Sequence, residues 1–215
     1  MTESQQQQKQ QHYDFANPQE QLIKSLIDLK FLSRLTTSNS YKRIEFFAQD
    51  ICNLPTYLKQ VERTRGSPNL SYEEAVQCAT DIGKQLFHME KQNQSWLFLN
   101  KEKVFVINNH HFIYLGEDTK ETKKTNNSLC EHITITTPPF TKREVTNNNN
   151  INLAPELVSL STLPYNINLR CIYYSLGSLV SSCLHSLEEI RDTKLYWFLM
   201  RCMKTSPSER SLIFF

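Results

Sequence analysis

Glycine occurs only four times in this 215-residue chain, at Gly66, Gly83, Gly116 and Gly177. Loops that wrap a phosphate bring backbone N–H groups close to the ligand, and glycine permits that approach because it carries no Cβ. Glycines spaced this widely compose neither G-x-G-x-x-G nor G-x-x-x-x-G-K-[S/T]. A nucleotide cradle built from glycine backbone is thereby excluded, and with it the dinucleotide-binding and P-loop classes.

The length suits one domain, or one domain with tails. Hydrophobic residues at 39% and aromatics at 11% can supply a substantial core. The formal net charge is only +2, and the basic residues are scattered. Nucleic acid is therefore not an expected partner. No apolar run reaches the ~18–20 residues of a membrane span. Met1-Thr2-Glu3-Ser4, followed by glutamines, is not a signal peptide. A soluble intracellular protein is expected, neither secreted nor held in a membrane. Cys52, Cys78, Cys130, Cys171, Cys183 and Cys202 form no C-x-x-C and read as buried thiols.

Residues 1–14 are polar and glutamine-rich, the composition of a disordered tail. Periodicity predicts an amphipathic helix over 18–35, with Asn17 as cap, Pro18 in the first turn and Glu20 behind them. Residues 43–51 read as a strand, Leu54–Lys59 as a turn into a short helix, and 62–69 as a loop. Ser71 and Glu74 form a capping box for a long helix reaching about Lys91, with Ala75, Ala79, Ile82, Leu86 and Phe87 at helical spacing. Strands follow at 96–99, 104–107 and 112–115, with Asn108-Asn109 as a hairpin turn. Residues 117–129 and 141–150 read as loops, with an extended piece at 132–136. Helices are expected over 168–187 and from Asp192 or Thr193 onward. The order is that of an α+β domain with a mostly helical second half.

Three short motifs then fall in one order. Ala154-Pro155-Glu156 precedes the large helix, Tyr173-Tyr174-Ser175-Leu176-Gly177 opens it, and Pro207-Ser208-Glu209-Arg210 follows Arg201-Cys202-Met203-Lys204. The series resembles the C-lobe of protein kinases over about residues 43–213. The resemblance implies a kinase-like fold: a tail at 1–14, a reduced N-lobe of one helix and a short strand at 15–60, and a C-lobe at 61–215. It also implies a partly buried ion pair between Glu156 and Arg210, with Ala154, Pro155, Ser175 and Gly177 as motif framework. The Asn- and Gln-rich composition, with the phrases YYSLG and TKLYWFLMRC, looks like the kinase-like proteins of large eukaryotic DNA viruses. An AT-rich protist genome fits that composition as well. The viral resemblance implies the host cytoplasm, or a virion, as location.

The catalytic positions depart from the kinase pattern. Phe98 stands where the catalytic base belongs, and Lys103 where an asparagine holds metal. Tyr114-Leu115-Gly116 replaces D-F-G, keeping only Gly116. A phenol of pKa ~10 is no substitute for a magnesium-binding carboxylate. Ile172 replaces the aspartate that opens the central helix, and no strand-borne lysine is visible, since Lys24 and Lys30 fall on the predicted helix. The resemblance thus implies a pseudokinase that binds a protein partner, with no metal, cofactor or nucleotide required. Two alternatives stand beside it. One is a divergent phosphotransferase recruiting Lys103, Glu117 and Asp118. The other is an unrelated helical interaction protein, in which Glu156 and Arg210 would lie far apart.

Other candidates have plainer readings. Cys130/His132 and Cys183/His185 would have to be brought together to make a four-ligand zinc site, and the second pair lies on a predicted helix where residues two apart face different directions, so they read as core thiols and surface histidines. His110-His111 reads as a solvated turn. Cys171, beside Arg170, reads as a core thiol rather than a thiolate. Asp50, Glu73, Glu74, Asp81 and Glu90 are scattered carboxylates, of which Glu73 and Glu74 suit the helix N-terminus. Tyr165, Tyr173, Tyr174, Tyr196, Trp197 and Phe198 read as core packing. An apolar patch near Phe46, Phe47, Trp96 and Phe98, uncovered by the short N-lobe, would mark a partner site.

Overall fold

The structure is a computed structural model that describes residues 8–117, 119–121, 123–124, 131–136, 151–160 and 162–213. Its N-terminal layer is β1 (Lys9–Asp14), α1 (Glu20–Leu29), β2 (Ser33–Thr37) and β3 (Arg43–Ala48). The strands form an antiparallel sheet in the order β1-β3-β2. Ile44, Phe46 and Ala48 alternate inward along β3 and are fully buried, the two-residue period of a half-buried strand.

This layer is richer than the expected helix and short strand. Residues 9–14 are not a disordered tail: they pair with β3 from Lys9↔Ala48 to Asp14↔Arg43. Tyr13 packs edge-on against Phe15 and Phe105, at ring separations of 4.9 and 5.3 Å. A polar segment gains order here by backbone pairing with an apolar strand, which composition does not register. The start of the tail, residues 1–7, lies outside the described residues. The helix predicted over 18–35 is also corrected. It begins at Glu20, after Gln19, whose side chain makes no capping bond. It ends at Lys30, whose φ of 55° breaks the helical path, and Leu35 passes into β2.

The predicted strand at 43–51 divides into β3 and β4 (Ile51–Asn53), and α2 (Leu54–Arg65) extends into the predicted 62–69 loop. Asn53 caps α2 by accepting the Thr56 N–H, and Gly66, at φ 77°, closes it. The capping box forms as predicted on α3 (Tyr72–Lys91). Ser71 Oγ accepts the Glu74 N–H at 3.2 Å, and Glu74 accepts the Ser71 N–H at 2.8 Å.

The remaining strands are short. They are β5 (Gln94–Trp96), β6 (Leu99–Asn100), β7 (Val104–Ile107), β8 (His111–Tyr114), β9 (Thr119–Glu121), β10 (Lys123–Lys124), β11 (Glu131–Ile135), β12 (Ile151–Asn152) and β13 (Tyr165–Asn168). Asn108 and Asn109 both take positive φ, 52° and 61°, and turn the β7–β8 hairpin as predicted. β4 extends that hairpin, β5 pairs with β9, β6 with β12, and β11 lies between β10 and β13. The expected loop at 117–129 thus contributes two strands; its residues 118, 122 and 125–129, and the 141–150 loop, lie outside the described residues. The helices of the second half are α4 (Pro155–Val158), α5 (Cys171–Ser181) and α6 (Lys194–Cys202).

One apolar core joins the N-terminal layer to the helical half, from Phe15 through Leu26, Ile44, Ile82 and Phe112 to Phe198 and Cys202. A second cluster, with Leu97, Ile133, Leu157 and Ile167, sits beneath β11, β13 and α4. The architecture is α+β with small antiparallel sheets. No helix among the described residues is long and apolar enough to cross a membrane.

Glu74 joins two helices as well as capping one. It takes a bidentate Arg65 at 2.7 and 2.8 Å and the Tyr57 hydroxyl at 2.7 Å. Burial pushes its carboxyl up, but Arg65, the Ser71 N–H and Tyr57 outweigh burial and hold it below the ordinary carboxylate range. A carboxyl so depressed adds stability above its unfolded pKa, and that stability is lost as pH falls through the folded value. Glu74→Gln is expected to cost about 1–2 kcal/mol near neutral pH and far less in acid, read by calorimetry across pH. An equal loss at both extremes would show that the charge contributes nothing.

Candidate functional site

Glu156 and Arg210 meet, although 54 positions separate them in the chain. Arg210 follows the 3-10 turn Pro207–Glu209 and is fully buried. Its Nη1 donates to Glu156 Oε1 at 2.5 Å, and its Nη2 to Oε2 at 2.9 Å. Nε donates to the Lys204 carbonyl (2.7 Å), Nη2 also to that of Thr205 (2.9 Å), and Nη1 also to that of Arg170 (3.3 Å). All five N–H groups of the guanidinium are thereby satisfied, which is the condition for burying such a charge. The Tyr174 ring covers one face, its centroid 5.0 Å from the guanidinium carbon.

The other motif residues build the same frame. Ala154 is fully buried, and Pro155 opens α4. Ser175 is buried on α5, where its hydroxyl accepts the Leu99 N–H at 2.7 Å and donates to the Asn152 carbonyl. It therefore ties α5 to both strands of the β6–β12 pair. Gly177 is demanded by packing: a Cβ there would lie 2.8 Å from Met203 Cγ and 2.9 Å from Cys202 Cβ, where α6 crosses. Ile172 is fully buried in the main core.

The positions that the resemblance sets against kinase catalytic residues lie in a packed region around Tyr114. Gln85, fully buried on α3, brackets Tyr114 by donating to its carbonyl at 2.8 Å and accepting its N–H at 2.9 Å. The Tyr114 hydroxyl donates to the Phe98 carbonyl at 3.4 Å and accepts the Asn100 N–H at 3.3 Å. Trp96 stands edge-on to the Tyr114 ring at 5.0 Å and donates its indole N–H to the Gly116 carbonyl at 2.9 Å. A Cβ on Gly116 would lie against Tyr114 Cε1 and 2.5 Å from its hydroxyl, too close unless the ring moved. Phe98 is half-buried against the second cluster.

The residues of the divergent-enzyme alternative are engaged separately. Lys103 donates to the Tyr13 hydroxyl at 3.4 Å. Glu117 accepts the Asn17 N–H on its side chain at 3.1 Å and the Gln19 amide on its carbonyl at 3.3 Å. Asp118 lies outside the described residues. Lys24 pairs with Glu20 on its own helix. Among the described residues no three His, Cys, Asp or Glu side chains gather as a metal site would require.

Several plainer readings change. His111 is not simply a solvated turn residue: its Nδ1 lies 3.3 Å from Asp81 Oδ2, and its ring stacks on Phe31 at 5.9 Å. Asp81 is buried and also takes the Phe112 N–H and the Gln77 amide. Glu90 accepts the Tyr173 hydroxyl at 2.9 Å. Cys171 and Cys183 are buried, and burial pushes both thiols up, away from the thiolate. His185 pairs with Glu189, and Cys130 lies outside the described residues. Phe46 and Trp96 are buried, so the apolar patch expected around them is covered. Large exposed apolar side chains lie elsewhere, with Trp197, Tyr165 and Phe87 among them. Sequence reasoning missed Gln85, the Asn152 carbonyl and the buried bonding role of Asp81, which it read only as one of several scattered carboxylates, because a buried polar partner carries no periodic or motif signal.

Glu156→Ala leaves the buried Arg210 charge uncompensated. The expected cost is about 3–5 kcal/mol, a fall in melting temperature on the order of 10 °C. Gly177→Ala is expected to cost about 1–3 kcal/mol through the α5–α6 clash. Thermal denaturation of the two variants checks both, and an unchanged melting temperature for Glu156→Ala would remove the ion pair from the account of stability.

Neither a protein-family model nor a curated protein matches this chain.

Proposed function

We propose that this chain is a kinase-like domain that transfers no phosphate and acts by binding other proteins. The Glu156–Arg210 pair supports the kinase-like part, because the resemblance required it and an unrelated helical protein would not. The arrangement of the N-terminal layer agrees with it. In kinases the nucleotide lysine rides a strand and pairs with a glutamate of the following helix. Here β1 precedes α1, but Glu20 spends its charge on Lys24 within the helix. Lys9, the lysine of β1, sits at the exposed outer end of the strand.

The observation that carries the inactive part is Tyr114. Its phenol occupies the position where the resemblance puts a magnesium-binding carboxylate, and it is held there by Phe98, Asn100, Gln85 and Trp96. Phosphoryl transfer is positioning plus charge stabilisation by metal. A hydrogen-bonded aromatic ring at that position supplies neither.

A ligand that binds the native state must raise its stability, by about 2.7 kcal/mol at a hundredfold excess over Kd. The purified chain is expected to show the same melting temperature with and without ATP and magnesium, and no transfer of labelled phosphate to itself or to a general substrate protein. A magnesium-dependent rise together with phosphate transfer would overturn the proposal.

A further inference from the structure

Phe87 recurs at helical spacing with the apolar residues of α3, yet the fold leaves it in solvent, at 51% exposure. It belongs to a stripe on α3. Lys84, Phe87, His88 and Lys91 recur at the i, i+3, i+4, i+7 spacing that puts four residues on one helical face. The stripe spans about 10 Å, or two helical turns.

The stripe borders a groove of about 360 Å³, whose other walls are Leu29 at the end of α1 and Leu212 near the C-terminal end. The Leu212 wall is fixed to α6, because Arg201 Nη2 donates to the Ile213 carbonyl at 3.0 Å and Cys202 Sγ lies 3.8 Å from the Ser211 carbonyl. The Leu29 wall is fixed by Asp28, 3.0 Å from His88 Nε2. The floor is thus apolar and its walls are anchored on both sides.

Charge at the rim chooses the occupant. Neither Lys84 nor Lys91 forms an ion pair among the described residues; Lys91 lies over the Phe87 ring at 4.4 Å. Lys84 and Lys91 outnumber Asp28, whose carboxylate lies 3.0 Å from His88, and a net cationic rim around an apolar floor is complementary to a helix with an apolar stripe and acidic flanks, in the helix-in-groove mode of recognition. Two lysines are too few to hold a membrane surface, where each basic residue contributes only ~1 kcal/mol.

We infer that the groove formed by Leu29, the Lys84–Lys91 face of α3 and Leu212 docks an acidic amphipathic helix of a partner protein. The inference deepens the proposal of a protein-binding function and rests on it. Its test is separate from the nucleotide assay, since groove binding can fail while phosphate transfer remains absent.

The probe is a fluorescein-labelled helical peptide with leucines at i, i+3, i+4 and i+7 and glutamates flanking them. A control peptide keeps the leucines and carries lysines instead. Anisotropy with the full chain is expected to show binding of the acidic peptide only. Phe87→Ala and the double variant Lys84→Glu/Lys91→Glu should each weaken it roughly tenfold or more, the double variant now favouring the basic peptide. Unchanged melting temperatures would show that both variants keep their fold, as expected for exposed side chains. Equal binding of the two peptides, or none, overturns the inference. Binding of the chain to anionic vesicles lost in the double variant overturns it in favour of a membrane, and a concentration-dependent mass lost in Phe87→Ala overturns it in favour of a second copy of the chain.

Discussion

A fully buried guanidinium is among the costlier things a domain of this size can contain, since removing such a charge from water costs several kcal/mol before any partner repays it. Arg210 is tolerated because every donor it carries is met. The partners come from three stretches: the Glu156 carboxylate at the start of α4, the Arg170 carbonyl before α5, and the Lys204 and Thr205 carbonyls after α6. Arg210 is therefore a fastening point for segments that have little regular structure of their own. α4 has only four residues, too few to hold a helix without tertiary support. Its position depends on the ion pair and on the burial of Ala154 and Leu157.

The same logic recurs on a smaller scale. Many of the strands contain two to four residues and make few ladder bonds. Buried side chains supply what the short ladders lack. Ser175 joins the β6–β12 pair to α5, Gln85 joins Tyr114 to α3, and Asp81 joins the start of β8 to α3. Each satisfies backbone groups that no longer strand is present to meet. α3 carries two of these three side chains, Gln85 and Asp81, and its N-terminus is held by the box of Ser71 and Glu74.

Around Tyr114 the packing has a functional meaning. A carboxylate at that position would need a cation or several donors to be buried beside Trp96. A phenol needs only one acceptor and one donor, which Phe98 and Asn100 provide. Tyr114 is thereby part of the frame. Exposed apolar surface lies elsewhere, on side chains such as Phe87, while Phe46 and Trp96 are covered.

Local chemistry is what the sequence determined by itself. The capping box at Ser71, the Asn108-Asn109 turn and the long α3 were legible because their signals lie within a few residues and depend on backbone geometry alone. The meeting of Glu156 and Arg210 was legible too, but only through the order of motifs and not from any property of the two residues. Tertiary structure decided the rest. Residues 9–14 became a strand because β3 offered an edge, which no count of glutamines reveals. α1 stopped at Leu29 because the following residues found a better place beside β3 than in a further helical turn. Phe87 was left in solvent because α3 presents more apolar surface than its neighbours cover. In each case the outcome was set by a partner distant in the chain, and pairing and burial at such distances are properties of the fold rather than of any local stretch of sequence.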